Sequence, residues 1–172
     1  MDMRVYPVVC LLGVQFISPQ IVLAAPPENH GTRGISVVVG SGQTGVRLPV
    51  WISPQLALVP FGSLNSTGDG WTEVSVGLGV RFYRRQSGSL FPYIGVKAGT
   101  LASIYGWYED AFFDYTAGLN YGGEYFFARQ FSVGIEAQLN VVKSGESGIW
   151  SRPPGGITVH TASIIYATLY FK

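Results

Sequence analysis

The sequence predicts an all-β protein: an eight-stranded antiparallel up-and-down β-barrel that spans a membrane. Apolar and polar residues alternate with a period of two along most of the chain, the pattern of strands with two unlike faces. The later strands are longer than the ~9–11 residues that a tilted membrane crossing needs. The polar face is rich in glycine, and aromatic residues collect near the strand ends, which is typical of membrane barrels.

The composition also favours an apolar environment. Charged residues make up only 12% of the 172 residues, against about 25% in ordinary soluble domains. The net charge of +1 gives no reason to expect a nucleic-acid partner. The single cysteine, Cys10, cannot form an internal disulfide or a Cys-rich metal site. We therefore expect no metal and no cofactor.

Residues 1–25 have the layout of a secretory signal peptide. Arg4 precedes an apolar run, and Ala24 and Ala25 close it. Polar residues and prolines interrupt the ~20 apolar residues that a membrane helix requires. We expect cleavage near residue 25, which leaves 26–172 as the barrel domain; a retained N-terminal anchor helix is the alternative.

The barrel domain divides into eight candidate strands. The first three are the least regular, because Pro49, Pro54 and Pro60 remove backbone donors. Residues 40–45 spell G-x-G-x-x-G, but a strand-like segment follows them instead of the helix that a dinucleotide site needs, so we interpret them as a hairpin turn. The predicted strands are 34–40, 45–52, 55–62, 71–85, 91–105, 112–127, 130–142 and 157–171.

The long and short connections should lie at opposite ends of the barrel. The loops at 62–71, 106–111 and 143–156 are predicted to share one end, with Asp69, Glu109, Asp110 and Glu146 exposed there. Arg84, Arg85 and Arg129 should lie at the other end. Two aromatic girdles are expected. One comprises Trp71, Tyr105, Trp107, Tyr108, Phe112, Phe113 and Trp150; the other comprises Phe82, Phe91, Phe126, Phe127, Phe131 and Phe171.

Alternation assigns the side chains to two faces. Val76, Leu78, Val133, Ile135 and Leu139 should face outward, whereas Asn140 and several charged side chains should face the lumen. The inward charged set is Arg47, Glu73, Arg81, Lys97, Asp114, Glu124 and Glu136.

An eight-stranded barrel leaves room for little more than side chains. Unpaired charges there would carry a large desolvation cost. We therefore predict that at least one acid–base pair crosses the lumen, with Arg81 and Glu124 as the example to test. A gated proton or ion path is the alternative.

His160 and Ser163 resemble parts of a hydrolase site, in which a histidine activates a serine. They are three residues apart, so a regular strand puts them on opposite faces. The sequence therefore predicts no catalytic residues.

Two segments resemble the small outer-membrane β-barrels of Gram-negative bacteria, the family of the outer-membrane protein A barrel domain and the opacity proteins. AGLNYGGEYFFARQFSVGIEAQLNVV (117–142) is similar to that family's penultimate hairpin, and SLFPYIGVKAGT (89–100) is similar to its fifth strand. Such barrels usually end on an aromatic residue, so Lys172 after Phe171 is a departure.

The resemblance implies a monomer in the bacterial outer membrane, in contact with the lipid bilayer and lipopolysaccharide. It also implies that the C-terminal strand engages the barrel-assembly machinery. We expect a non-enzymatic role in envelope structure or in surface interaction with an unknown partner. The alternatives are a lipid-modifying barrel enzyme or narrow ion channel, and a soluble periplasmic lipocalin-like carrier.

Overall fold

A computed structural model describes residues 32–40, 43–66, 71–84, 88–105, 111–145 and 155–171. The predicted signal peptide, Asp69, Arg85 and the predicted exposed acids of the two later loops lie outside these residues. No helix long and apolar enough to span a membrane occurs in the described part of the chain. Its strands are β1 (Arg33–Gly40), β2 (Gln43–Arg47), β3 (Val50–Ser53), β4 (Leu56–Ser66), β5 (Trp71–Tyr83), β6 (Leu90–Tyr105), β7 (Ala111–Ala128), β8 (Phe131–Lys143) and β9 (Ile157–Phe171).

The strands form one closed antiparallel barrel. From β4 to β9 each strand pairs with the next, and β1 pairs with β9 from Arg33↔Phe171 to Gly40↔Ile164, which closes the sheet. Both β2 and β3 lie between β1 and β4. They are therefore two halves of one barrel strand, and the fold has the eight strand positions that the sequence predicts.

The second barrel strand is interrupted where the sequence analysis expects one segment, 45–52. The break falls at Leu48–Pro49, beside Pro60 of β4. Proline has no N–H, so neither strand can complete its hydrogen-bond ladder at this level. The neighbouring backbone still bonds across the break: Leu48 N–H donates to Pro60 O at 2.9 Å, and Gly34 N–H donates to Pro49 O at 2.8 Å.

The antiparallel order sorts the connections between two ends. We call the end with the connections 41–42, 67–70, 106–110 and 144–156 the loop end, and the opposite end the turn end. The prediction that the three longer loops share an end is confirmed by this pairing. Arg84 and Arg129 are exposed at the turn end, as predicted. Gly40 of β1 pairs with Gln43 of β2, so the glycine-rich motif lies where two antiparallel neighbouring strands are joined, in agreement with the predicted hairpin.

The predicted faces are confirmed where alternation was clearest. Leu139 is 44% exposed, whereas its neighbour Gln138 is 3% exposed. The outer wall is therefore apolar, and the charged and amide side chains lie inside. Large exposed apolar side chains include Val37, Val76, Leu78, Leu119, Ile135, Ile165 and Leu169.

The turn-end aromatic girdle is smaller than predicted. Phe82, Phe127, Phe131 and Phe171 are exposed on the outer wall, but Phe91 and Phe126 are buried in the lumen. The prediction for these two was wrong because it used their distance from the strand ends and ignored the alternation. Phe126 is next to the outward Phe127, so it must point inward.

Glycine on the inner face makes room for aromatic rings. Gly134 pairs with Tyr166 across β8 and β9, and a Cβ at Gly134 would overlap the Tyr166 ring. Gly122 and Tyr93 have the same relation across β7 and β6. The glycines of the polar face therefore leave space for large side chains that extend from the neighbouring strand.

Candidate functional site

The carboxylate of Glu136 is the centre of the lumen network. It accepts six hydrogen bonds from five side chains. Arg47 donates twice, at 2.9 and 3.1 Å, and Arg81 donates once at 3.0 Å. Tyr93, Asn120 and Gln138 supply the rest, at 2.8, 3.1 and 2.6 Å.

Two ion pairs therefore meet on one acid. Arg47 lies in the second barrel strand and Arg81 in β5, whereas Glu136 lies in β8, so both pairs cross the lumen. The two guanidinium groups together bear twice the charge of Glu136. The cost of desolvating two guanidinium groups beside one carboxylate must be offset by further contacts.

Two tyrosine rings flank Arg81. Its guanidinium carbon lies 4.5 Å from the ring centre of Tyr93 and 4.7 Å from that of Tyr166. Arg47 lies 5.7 Å from the same Tyr166 ring. Cation–π attraction is strongest where water is excluded, and Arg81 is only 2% exposed. The rings thus stabilise the cation in addition to its ion pair with Glu136.

Glu124 is held by hydroxyl groups. It is fully buried and accepts hydrogen bonds from Tyr83 at 2.8 Å, from Tyr170 at 2.7 Å and from Ser132. Arg81 donates to the hydroxyl oxygen of Tyr83 at 3.4 Å, so Tyr83 links the two carboxylate clusters. The structure therefore pairs Arg81 directly with Glu136, and not with Glu124, the example proposed from sequence.

The remaining predicted lumen residues lie towards the loop end. Lys97 donates to Gln138 at 2.5 Å, and Asp114 accepts from the backbone N–H of Gly145 at 3.1 Å. Glu73 borders a cavity of about 70 Å³, together with Arg47 and Lys97. We call this the loop-end cavity. A polar cavity of that size has room for several water molecules.

The turn-end part of the lumen is filled by aromatic rings. Ring centres lie 4.4 Å apart in the pair Trp51–Tyr83, 5.3 Å apart in Phe91–Phe126 and 5.5 Å apart in Phe126–Tyr170. We call these five side chains the aromatic layer. The layer lies between the network and the turn end, so the described lumen is blocked there by packed rings.

The structure separates the two residues of the suspected hydrolase pair. His160 lines the loop-end cavity, whereas Ser163 lines a groove on the outer wall. They therefore cannot act together. Among the described residues, no group of three or more His, Cys, Asp or Glu side chains is arranged to hold a metal ion.

Sequence reasoning missed the hydroxyl groups of the network. Tyr83, Tyr93, Tyr166, Tyr170 and Ser132 all donate inside the lumen. The signal was the same alternation. Ile165, Leu169 and Phe171 face outward in β9, which puts Tyr166 and Tyr170 on the inner face.

Comparison with known proteins rests on structure. No family model matches the sequence, and no curated protein matches it as a relative. The N-terminal β-barrel domain of Pseudomonas aeruginosa OprF is similar, with a TM-score of 0.57 and 12% identity over 81% of this chain and 95% of that one. A de novo designed transmembrane β-barrel matches with a TM-score of 0.48 and 22% identity, over 83% of this chain and 97% of that one.

The OprF match spans almost the whole of that domain and agrees with the strand pairing described above. Because the two chains are only 12% identical, the structural match establishes the fold and does not establish the function. In fold, this chain is a closed eight-stranded antiparallel β-barrel similar to the OprF N-terminal domain.

Proposed function

We propose that this chain is a non-enzymatic protein of the bacterial outer membrane, which serves the cell envelope structurally or presents its loops to surface partners. One observation supports the proposal: compared with a water-soluble protein, the apolar and polar faces of the barrel are exchanged, with apolar side chains outside and charged side chains inside. Ile135 is 64% exposed on the outer wall, while the adjacent Glu136 is 3% exposed in the lumen. A membrane barrel has this apolar-out, polar-in pattern.

A closed barrel suits a bilayer because it has no unpaired strand edge. In this proposal the outer wall contacts lipid, with lipopolysaccharide on the loop-end side, and the barrel is a monomer. The C-terminal strand β9 is the element that the assembly machinery would engage. A soluble lipocalin-like carrier would need the reverse arrangement, with an apolar interior and a polar outer wall.

The first test is gel migration with and without boiling. A detergent-folded membrane barrel resists dodecyl sulfate until it is heated, so unboiled protein should migrate as a separate, faster band. A single band at one position in both lanes, from protein that is soluble without detergent, would contradict the membrane assignment.

A charged substitution on the outer wall tests the same proposal energetically. Leu78→Arg should lower the free energy of unfolding in lipid by about 2–4 kcal/mol, because Leu78 lies in the middle of β5. Leu64→Arg is the matched control: Leu64 is also outward but lies near the loop end, where the cost falls to about 0–1 kcal/mol. Equal effects at both positions would contradict a bilayer around the barrel.

Conductance separates a closed barrel from a narrow channel. The aromatic layer and the network around Glu136 leave no wide path through the described lumen, so the reconstituted barrel should not conduct ions in a planar bilayer. Reproducible single-channel currents, lost on Glu136→Gln, would replace the structural role with a channel.

A further inference from the structure

The outer wall of the barrel carries an apolar groove. Gly123 of β7 and Ala137 of β8 form its floor, because their neighbours along and across the strands are larger. Its sides are Leu90, Tyr121, Ile135 and Ile165, and its volume is about 700 Å³. That volume lies within the ~300–1,000 Å³ range of ligand clefts.

A second hollow adjoins the groove towards the turn end. Leu90, Pro92 and Tyr121 border both hollows, and the second one, of about 760 Å³, is also lined by Phe82 and Ile94. Arg84 lines this hollow directly after the end of β5. The groove and the adjoining hollow therefore lie side by side, with an arginine at the turn-end edge of the pair.

The path of the groove follows the strand pairing. Pro92 pairs with Gly123, which pairs with Ile135, which pairs with Ile165. Barrel strands tilt by about 35–45° from the barrel axis, so a row of paired residues runs obliquely along the wall. The adjoining hollow at Arg84 and the groove thus follow one another from the turn end towards Gly40, the last residue of β1, at the loop end.

The exposed charges that the structure describes at the turn end are of one sign. Arg33, Arg84 and Arg129 are exposed there. The described segments that meet at this end, 33–36, 48–58, 82–84, 88–92, 126–132 and 166–171, contain no Asp or Glu. An anionic group next to Arg84 would therefore meet a cation without competition from a carboxylate of these segments.

We propose that the groove binds one anionic phospholipid, with an acyl chain along Pro92, Gly123 and Ala137 and its phosphate on Arg84. This inference rests on the proposed membrane location. An arginine pairs well with phosphate through two parallel hydrogen bonds. The groove is lined mainly by apolar residues and crosses the strands from β6 to β9, which fits an acyl chain, and the position of Arg84 beyond it fits a headgroup at the membrane surface.

The test counts lipids on the folded barrel. The purified barrel in detergent is mixed with equal amounts of palmitoyl-oleoyl phosphatidylglycerol and phosphatidylcholine, and bound lipid is counted by native mass spectrometry. Wild type should retain one phosphatidylglycerol in preference to phosphatidylcholine. Gly123→Leu should reduce retention of both lipids about tenfold by filling the groove. Arg84→Gln should reduce the preference for phosphatidylglycerol about fivefold.

The chain offers matched controls for both variants. A Cβ at Gly123 meets only Leu90, at 3.4 Å, and a Cβ at Gly62, on the outer wall of β4, meets only Ser75 O at 3.7 Å. Both glycines therefore accept a side chain, and Gly62→Leu should leave lipid retention unchanged. Arg33→Gln removes a turn-end arginine that does not line the groove, and it should leave the lipid preference unchanged.

Three outcomes would overturn the inference. If wild type retains the two lipids equally, Arg84 does not select the phosphate. If Gly62→Leu and Gly123→Leu lose the same amount of bound lipid, the groove is not the binding site. If the barrel is a dimer without lipid, a second copy of the chain occupies the groove. Each of these requires a heat-modifiable, folded barrel, so none of them argues against the membrane location; failure of that gel shift would reject the location and the lipid site together.

Discussion

The turn-end half and the loop-end half of the lumen differ in how their polar groups are satisfied. In the turn-end half, Glu124 and Glu136 receive their hydrogen bonds from protein side chains, and the aromatic layer excludes water. In the loop-end half, Ser63, Ser75 and Lys97 border a cavity of about 70 Å³. The loss of one hydrogen-bond partner should therefore cost more stability in the turn-end half, where water cannot replace that partner.

The largest effect is expected at Glu136 of the turn-end half, which pairs with two arginines. Glu136→Ala removes the anion from Arg47 and Arg81 while both remain buried. The free energy of unfolding should fall by about 3–5 kcal/mol, the cost of a buried charge that has lost its partner. Urea unfolding in detergent measures it.

Lys143→Ala is the control for Glu136→Ala, because Lys143 is exposed at the end of β8 and should change stability by less than about 0.5 kcal/mol. A double-mutant cycle should also give stronger coupling between Arg81 and Glu136 than between Arg81 and Glu124. An effect of Glu136→Ala no larger than that of Lys143→Ala would mean that water enters the network freely.

Tyr170→Phe tests the turn-end half of the lumen by removing a single hydroxyl group. The change keeps the ring in the aromatic layer and removes the hydroxyl that donates to Glu124 at 2.7 Å. We expect a loss of about 1.5–3 kcal/mol, the usual range for a hydrogen bond to a charged group. A loss below about 0.5 kcal/mol would show that Glu124 is solvated.

Gly134→Ala tests the packing of rings against glycine. The new methyl group would overlap the ring of Tyr166, which is 1% exposed and has little room to move. We expect a loss of about 1–3 kcal/mol from overpacking, measured by the same urea unfolding.

Gly62→Ala is the counterpart of Gly134→Ala, since its Cβ has free space on the outer wall. It should be neutral or slightly stabilising, because alanine restricts the unfolded chain more than glycine does. If both alanine substitutions lower the free energy of unfolding equally, the cause is the backbone and not overlap with the Tyr166 ring.

The smallest effect is expected in the loop-end half. Ser75→Ala removes a 2.6 Å hydrogen bond between two serine hydroxyls on β4 and β5. Because the cavity beside it can hold water, the stability should change by only about 0.5 kcal/mol, at the low end for a hydrogen bond. If Ser75→Ala lowers the free energy of unfolding as much as Tyr170→Phe does, the two halves of the lumen do not differ in their access to water.

The alternation in the sequence predicts the face of each side chain but not its height in the barrel. That is why Arg81, Glu124 and Glu136 could be placed in the lumen while the partner of Arg81 could not. The height depends on strand tilt and stagger, which arise from the pairing of all strands together. The break at Leu48–Pro49 was equally hard to predict, because it depends on Pro60 in the neighbouring strand.

The pairing of Arg47 with Glu136 bears on how the barrel closes during folding. The β1–β9 seam joins the first and last strands of the barrel, and such long-range contacts form slowly. Arg47 lies on the hairpin at one side of this seam, and Glu136 lies on β8 at the other side. A slip of one residue would move the inward side chains of an entire strand to the lipid face. We therefore expect a slipped seam to lose the Arg47–Glu136 ion pair and to leave charged side chains in lipid, which favours the native register.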